Sequence, residues 1–385
     1  MSARADEPGS AAHPTVPTTI REILVVELLG GLGDVLMVLP SVHALARSHP
    51  GAAVRVLTFR PGDELLVADP HVAEAVGVDR GTARAAVERE LARRPYDLVV
   101  TTTRYDGIGE LCARAPRSVT DLWRRPPATE RVDRRYLRLL RADGVIDPAY
   151  ADLPVRVHLT PSELAAGLAA VPAAAAPVVL VPESGMRVKE WPAERWSALA
   201  ARLTAAGRPV LSVTPPGRPA PPPGPRPAPG PRPAPGPRPA PGPRPAPGPH
   251  PAPGPRPPAM GTRPLPPAGL RGLAAMFAAV AARGGTVVGG DTGPVRLATA
   301  VGARTVALFG PTLAARYGLA RPGSVDLQGR PGCPVRRPLA ISEQECWWTA
   351  ACPLAGGGPP ACLDDLTVDA VVAAVTGPVA ARVPR

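Results

Sequence analysis

The chain has 385 residues, of which 45% are hydrophobic, enough apolar material for two or three domains with buried cores. Its formal charge of +12 would normally suggest nucleic-acid binding, but residues 215–268 hold seven arginines and no acid, leaving only +5 elsewhere. Residues 1–19 lack an apolar core and no run of eighteen apolar residues occurs, which argues against a secretory signal and a membrane span.

The amino-terminal half alternates strand-like and helical patterns. Strand-like runs at residues 23–29 and 54–58 flank a glycine turn and an amphipathic helix at 35–49. Further elements are predicted at 96–101 (strand) and 132–142 (helix). We therefore expect a disordered tail over residues 1–19 and a Rossmann-like domain over residues 20–160.

A second unit of the same kind follows, and we assign it to residues 175–375. It begins with the run Val-Val-Leu-Val at 178–181. Its other predicted elements are a helix at 192–206, a strand at 209–213, and helices at 273–282 and 367–375. Two such units favour an α/β protein whose two parallel sheets face each other across a cleft.

A proline-rich segment at residues 215–268 interrupts the second unit. From residue 224 to about 257 the hexapeptide Gly-Pro-Arg-Pro-Ala-Pro recurs. Proline at this density favours an extended polyproline II chain. A tolerated repeat expansion is our preferred interpretation, and a weak ligand for a polyproline-binding partner is the alternative.

A glycine-rich turn after residue 288 is the most informative local pattern. A β-branched strand precedes the turn, and the helix after it starts at Pro294 and stops at Gly302. A second strand follows at 305–309. This order places backbone N–H groups and a helix N-terminus at the carboxyl end of a parallel sheet, a geometry that binds phosphate or pyrophosphate.

Three segments, in order, resemble glycosyltransferase family 9, the bacterial heptosyltransferases that use ADP-heptose. They lie at residues 23–40, 189–196 and 288–312. The resemblance implies a GT-B fold, with an acceptor-side first domain and a second domain that binds the nucleotide sugar. It also implies an inverting transfer without a metal or other cofactor.

The resemblance gives roles to residues of the first turn. Asp34 matches the family's general base, and Gly31 and Gly33 belong to the acceptor-side loop. A base must remove the acceptor hydroxyl proton as the sugar is attacked. The alternative role for Asp34 is a helix N-cap, which aspartate fills well.

The donor phosphates are assigned to the second domain in the same way. Lys189 and Ser184 match phosphate-contacting positions, and so does the turn Asp291, Thr292 and Gly293. Fixed cations and N–H donors would stabilise the leaving nucleoside diphosphate. A structural cap of the following helix is the alternative for the turn.

Two departures from the family pattern weaken the functional prediction. Arg296 stands where histidine is usual; it can bind phosphate but cannot act as an acid or base. The glutamate that contacts the nucleoside in the family has no counterpart between residue 214 and Leu270. A non-catalytic sugar-nucleotide-binding or scaffold protein and a nucleotide-sugar epimerase therefore stay open beside a glycosyltransferase.

The expected partners are an ADP-linked sugar donor and a glycan, lipid-glycan or small-molecule acceptor, without nucleic acid. We expect a cytoplasmic protein, with a peripheral position at the inner membrane surface as the alternative. Four cysteines near the end have loose spacing for a zinc site: Cys333, Cys346, Cys352 and Cys362. Reduced thiols or a disulfide pair are preferred over a structural metal or cluster.

Overall fold

The structure is a computed structural model that describes residues 20–213, 262–319 and 321–377. The predicted tail at residues 1–19 and most of the predicted proline-rich insertion lie outside these residues. Within the described ranges the chain forms two parallel sheets covered by helices. No helix in these ranges has both the length and the apolarity needed to cross a bilayer.

The first sheet has five strands in the order β3-β2-β1-β4-β5, and every neighbouring pair is parallel. Its elements are β1 (Glu22–Glu27), α1 (Leu32–Ser48), β2 (Ala53–Phe59), β3 (Glu74–Val78), α2 (Ala83–Arg93), β4 (Leu98–Thr101), α3 (Ile108–Cys112), β5 (Arg117–Val119) and α4 (Val132–Ala142). The four residues of β4 are all buried, as expected for a parallel strand covered on both faces.

The second sheet has six strands in the order β11-β10-β9-β6-β7-β8, again all parallel. Helix α5 (Pro161–Ala170) precedes it. Its elements are β6 (Val178–Val181), α6 (Ala193–Ala205), β7 (Val210–Ser212), β8 (Arg263–Pro264), α7 (Leu270–Ala282), β9 (Thr286–Gly290), α8 (Gly293–Ala300), β10 (Arg304–Phe309), α9 (Ala314–Tyr317), β11 (Val325–Gln328), α10 (Glu345–Thr349), α11 (Ala361–Asp364) and α12 (Val368–Thr376).

Three local features differ from the sequence prediction. Helix α1 begins at Leu32, before the predicted residue 35, because its first turn is built from the glycine-rich segment itself. Helix α5 lies between the two predicted domains, where the sequence predicted no element. Thr160 and Glu163 cap each other's backbone N–H groups at its start. Strand β8 falls inside the predicted insertion, where Leu265 is buried and donates its N–H to Ser212 at 2.8 Å.

The two sheets are joined by direct packing of helices from both units. The N-terminal end of α1 meets that of α8, so that a Cβ at Gly293 would lie 2.8 Å from the Cβ of Leu32. One continuous apolar cluster includes Leu36 and Leu39 of α1 together with Val295 and Leu297 of α8. The approach therefore requires glycine at position 293.

Candidate active site

Both sheets change strand order at the cleft. In the first sheet β1 lies between β2 and β4, and in the second sheet β6 lies between β7 and β9. Loops leaving the carboxyl ends of strands on either side of such a switch point diverge and leave a crevice, which is where open α/β sheets bind ligands. The turns after β1, β6 and β9 carry the predicted site residues.

Asp34 lies in the first turn of α1, three residues after the N-cap residue Gly31. Asp34 is therefore not the N-cap residue, and that interpretation is wrong. Its Oδ2 still accepts the N–H of the N-cap residue Gly31 at 2.9 Å. Burial raises the pKa of Asp34, while the Gly31 N–H and the charges of Arg296 and Lys189 act in the opposite direction. A raised pKa brings a carboxylate closer to the range useful for a general base.

Glu27, at the end of β1, is a second carboxyl group that sequence reasoning missed. It is buried, its Oε1 accepts the Leu29 N–H at 2.9 Å, and its Oε2 accepts the Thr102 hydroxyl. Burial, followed by the charge of Asp34, raises the pKa of Glu27 to about 8. The sequence signal that could have found Glu27 is its position in an apolar strand of a parallel sheet, because such strands are covered on both faces.

Asp291 connects the two predicted phosphate-binding cations. Its Oδ2 accepts from Lys189 Nζ at 3.0 Å, and its Oδ1 accepts from Arg296 Nη2 at 2.8 Å. Although burial opposes ionisation, these two charges lower the pKa of Asp291 to about 2. The side chain does not cap α8, whose N-cap is Thr292. The cap interpretation is therefore wrong for Asp291, whose charge instead organises Lys189 and Arg296.

The remaining predicted donor residues lie in the same two loops as this ion cluster. Ser184 follows β6, and its Oγ accepts the Met186 N–H at 3.1 Å. Thr292 places a buried Oγ1 without a hydrogen-bond partner among the described residues. Lys189 Nζ also lies 5.4 Å from the centre of the Trp347 ring. Three groups thus lie together at the β6–β9 switch point: the Thr292 hydroxyl, the Lys189 ammonium group and the N-terminus of α8. This combination is suited to phosphate.

The two glycine turns face each other across the cleft. A Cβ at Gly33 would lie 3.5 Å from Cδ of Arg296, so the arginine side chain spans from α8 to the first turn of α1. The charges of Lys189 and Arg296 both act on the Asp34 carboxylate. Gly33 and Asp34, predicted for the acceptor side, thus lie beside Arg296, predicted for the donor side. These roles stay predictions.

A pair of buried arginines next to this cleft was not predicted. Arg135 of α4 and Arg316 of α9 both lie near the ring of Trp123, with guanidinium carbons 5.6 and 5.9 Å from its centre. Two nitrogens of Arg135 have no hydrogen-bond partner among the described residues, and its Nε lies 3.3 Å from Glu130. Burial and then the charge of Arg316 lower the pKa of Arg135. Such a pair can hold an anionic group.

The four late cysteines are unpaired: Cys346, Cys352 and Cys362 are buried and Cys333 is half-buried. Burial raises the pKa of Cys362 to about 12, with smaller contributions from the other three thiols. The sequence favoured reduced thiols or a disulfide pair, and among the described residues these four are free thiols. A structural metal or cluster there stays a prediction. The thiols of Cys346 and Cys362 are poor nucleophiles at neutral pH, since burial raises the pKa of each.

Residues 265–327 match the model of glycosyltransferase family 9 (heptosyltransferase). This stretch covers the turn predicted to bind the donor and strands β9 and β10. It begins at Leu265, immediately after β8, and ends in β11. The chain has no significant match among curated protein sequences.

Three solved structures share the fold over nearly the whole chain, each at 16% sequence identity. The family 9 glycosyltransferase of Veillonella parvula superposes with a TM-score of 0.65, covering 92% of this chain and 96% of its own. E. coli ADP-heptose lipopolysaccharide heptosyltransferase II gives 0.58, with 92% and 97% covered. The E. coli heptosyltransferase WaaC with ADP gives 0.55, with 91% and 98% covered. The family match and these superpositions confirm that the chain resembles glycosyltransferase family 9 and that its two facing sheets form a GT-B fold.

Proposed function

We propose that this protein is an inverting glycosyltransferase that moves a sugar from a nucleoside diphosphate, ADP-linked and heptose-like, to a hydroxyl acceptor. The observation that carries the proposal is the position of Asp34 opposite Lys189 and Arg296. The acceptor oxygen forms a bond to the anomeric carbon, the bond from that carbon to the phosphate oxygen breaks, and Asp34 takes the hydroxyl proton. The solved E. coli heptosyltransferase that holds ADP supports the adenine nucleotide as the first donor to test.

The leaving diphosphate gains negative charge as the glycosidic bond breaks. Lys189 and Arg296 already neutralise Asp291, so their charge is held in place before the donor arrives. The N-terminus of α8 adds a fixed dipole that favours the same charge. Preorganised cations and N–H groups of this kind stabilise a transition state without reorganisation.

The test starts from a panel of ADP-, UDP- and GDP-sugars, scored first for binding and then for nucleotide release with and without acceptor hydroxyl compounds. Asp34→Asn should keep donor affinity and should not lower the melting temperature, because asparagine can still accept the Gly31 N–H. Turnover at saturating donor should fall roughly a hundredfold or more, the cost of losing general-base catalysis.

The matched control is Asp106→Asn, which removes an exposed acid of the same unit. Asp106 has φ of 54°, a conformation that asparagine also accepts readily. Its turnover should match that of the unmodified protein. An Asp34→Asn protein with near-normal turnover would remove Asp34 from the mechanism. Donor binding without any transfer or nucleotide release would favour the non-catalytic alternative.

A further inference from the structure

A cluster of three histidines and one aspartate lies outside the cleft, at the junction of the first unit with the chain that leads to the second. His43 lies in the middle of α1, and Asp69 and His71 follow the short 3-10 helix Gly62–Leu66. His158 belongs to the connection just before α5. Neither the family resemblance nor the proposed transfer reaction uses any of these four residues.

Three side chains of the cluster lie close enough together to bind one metal ion. One ligand atom each from His43, Asp69 and His158 lies within 4.8 Å of the other two. The ring centres of His43, His71 and His158 are separated by 5.2, 5.7 and 6.2 Å. Imidazoles bound to a tetrahedral ion at a metal–nitrogen distance of about 2.0–2.1 Å would place their ring centres about 5 Å apart. The nitrogens of His71 are not among the ligand atoms that lie within 4.8 Å of one another, so its ring would have to turn before it could bind the same ion.

The surroundings hold these ligands in place. Asp69 Oδ2 and His43 Nε2 are 2.7 Å apart, both side chains are buried, and Asp69 Oδ1 accepts the His71 N–H at 2.9 Å. One carboxylate oxygen is thus fixed by the backbone, while the other lies against His43. Outer-sphere bonds of this kind orient metal ligands.

The site lies where the two units are tied together. Arg271 of α7 donates to the carbonyls of His158 and Glu64, each at 3.1 Å, and pairs with Glu163 of α5. His158 is therefore anchored to the second unit through its backbone, while its ring faces His43 and Asp69 of the first unit. An ion bound by His43, Asp69 and His158 would therefore hold the two units together at this junction.

We propose that His43, Asp69 and His158 bind one divalent transition-metal ion, and that the ring of His71 turns to supply the fourth ligand. Zn²⁺ is the best fit to imidazoles and a carboxylate in a tetrahedral arrangement. The ion would be structural, because four protein ligands leave no open position for substrate. The proposal does not depend on the proposed transfer reaction.

The test is metal binding by the full chain after treatment with a chelator. Titration with Co²⁺ should give the visible spectrum of a tetrahedral site with nitrogen and oxygen ligands, at one equivalent, and Zn²⁺ should displace it and raise the melting temperature. Thiolate coordination adds an intense near-ultraviolet band, so Co²⁺ bound by the late cysteines would be recognised. A Cys346→Ser protein should keep the nitrogen and oxygen spectrum unchanged.

His158→Asn and His71→Asn should each weaken Co²⁺ binding by at least about tenfold and abolish the rise in melting temperature with Zn²⁺. Both residues are half-buried, so these variants are expected to fold. His49→Gln is the matched control: His49 is buried and bonds to the Val145 carbonyl rather than to the cluster, and metal affinity should not change. Equal Co²⁺ affinity in the His158 and unmodified proteins, a purely thiolate spectrum, or no binding at all would overturn the proposal.

Discussion

Lys189 and Asp291, which lie on neighbouring strand-end loops of the second sheet, are joined at two points. The lysine Nζ lies 3.0 Å from the Asp291 carboxylate and 3.0 Å from the Asp291 backbone carbonyl. An ammonium group has three donors, so this arrangement leaves capacity for a phosphate oxygen. The lysine thus combines a structural bond inside the protein with the contact that the proposed donor requires.

Asp291→Asn should destabilise the protein strongly. The carboxylate is the charge partner of both Lys189 and Arg296, and asparagine would leave two largely buried cations without it. Breaking a buried pair by removing one partner costs about 3–5 kcal/mol. Urea unfolding at pH 7 measures the change in the free energy of unfolding. If Asp291 were only a helix cap, the loss in the free energy of unfolding would be smaller than this.

Asp364→Asn is the control for Asp291→Asn. Asp364 is exposed and lies 3.8 Å from Arg195, and such surface pairs contribute about 0–1 kcal/mol. The contribution of Asp291 should also depend on pH. Its folded pKa of about 2 lies below the ordinary 3.8, so its stabilisation is present above 3.8 and is lost as the pH falls towards 2. Equal losses in the two variants would contradict the assigned role of Asp291.

Lys189→Ala should weaken binding of the nucleotide sugar by about tenfold to a hundredfold and slow turnover. A charge-assisted phosphate contact contributes about 1.5–3 kcal/mol, and alanine removes it while Arg296 still neutralises Asp291. Isothermal titration with the best donor of the panel gives the affinity. Arg187→Ala removes an exposed cation from the same short helix and should bind the donor normally. Indistinguishable affinities would exclude Lys189 from the donor site.

Glu27→Gln should stabilise the protein, and the gain should grow with pH. The folded pKa of Glu27 is about 8 against an ordinary 4.5, so ionisation is opposed by the folded state. The loss of folding stability caused by ionising Glu27 is absent below pH 4.5, grows between pH 4.5 and about 8, and is complete above pH 8. Glutamine cannot titrate and its amide oxygen can still accept the Leu29 N–H. Melting temperatures of both proteins between pH 5 and 9 follow the difference, and parallel curves would contradict the raised pKa.

Much of the fold could be predicted from local patterns. The apolar runs at residues 178–181 and 286–288 predict the strands β6 and β9. The helical periodicity of residues 132–142 likewise predicts α4. The strand patterns before the glycine turns at Asp34 and Asp291 also predicted that these turns lie at the carboxyl ends of strands. Their face-to-face position was expected from the presence of two such units and from the resemblance to a two-domain family, because no pattern within either turn states how two domains meet.

The rest depends on contacts that sequence reasoning cannot see. The link from Asp291 to Lys189 joins residues that are 102 positions apart, and it decides that the aspartate is not a cap. Strand β8 was missed because two residues, one of them proline, carry no strand pattern; pairing with β7 at the sheet edge forms it. Arg135 and Arg316 approach each other only when α4 and α9, from different units, are packed together.

Gly30→Ala should lower turnover while leaving donor affinity unchanged, because it acts on Asp34 alone. A Cβ at Gly30 would lie 2.5 Å from Asp34 Oδ2, too close for the carboxylate to remain bonded to the Gly31 N–H. The side chain would have to turn away, and misplacing a catalytic group by about 1 Å can cost a hundredfold in rate.

Gly31→Ala is the matched control for this substitution. A Cβ at Gly31 would meet no atom within 4 Å, and alanine keeps the N–H that binds Asp34. Its turnover at saturating acceptor should be near normal, and any cost of the added methyl group should fall on the KM for acceptor, since Gly31 belongs to the predicted acceptor-side loop. Initial rates of both variants at saturating donor and acceptor make the comparison. If Gly30→Ala and Gly31→Ala show the same turnover, the position of the Asp34 carboxylate does not limit the reaction.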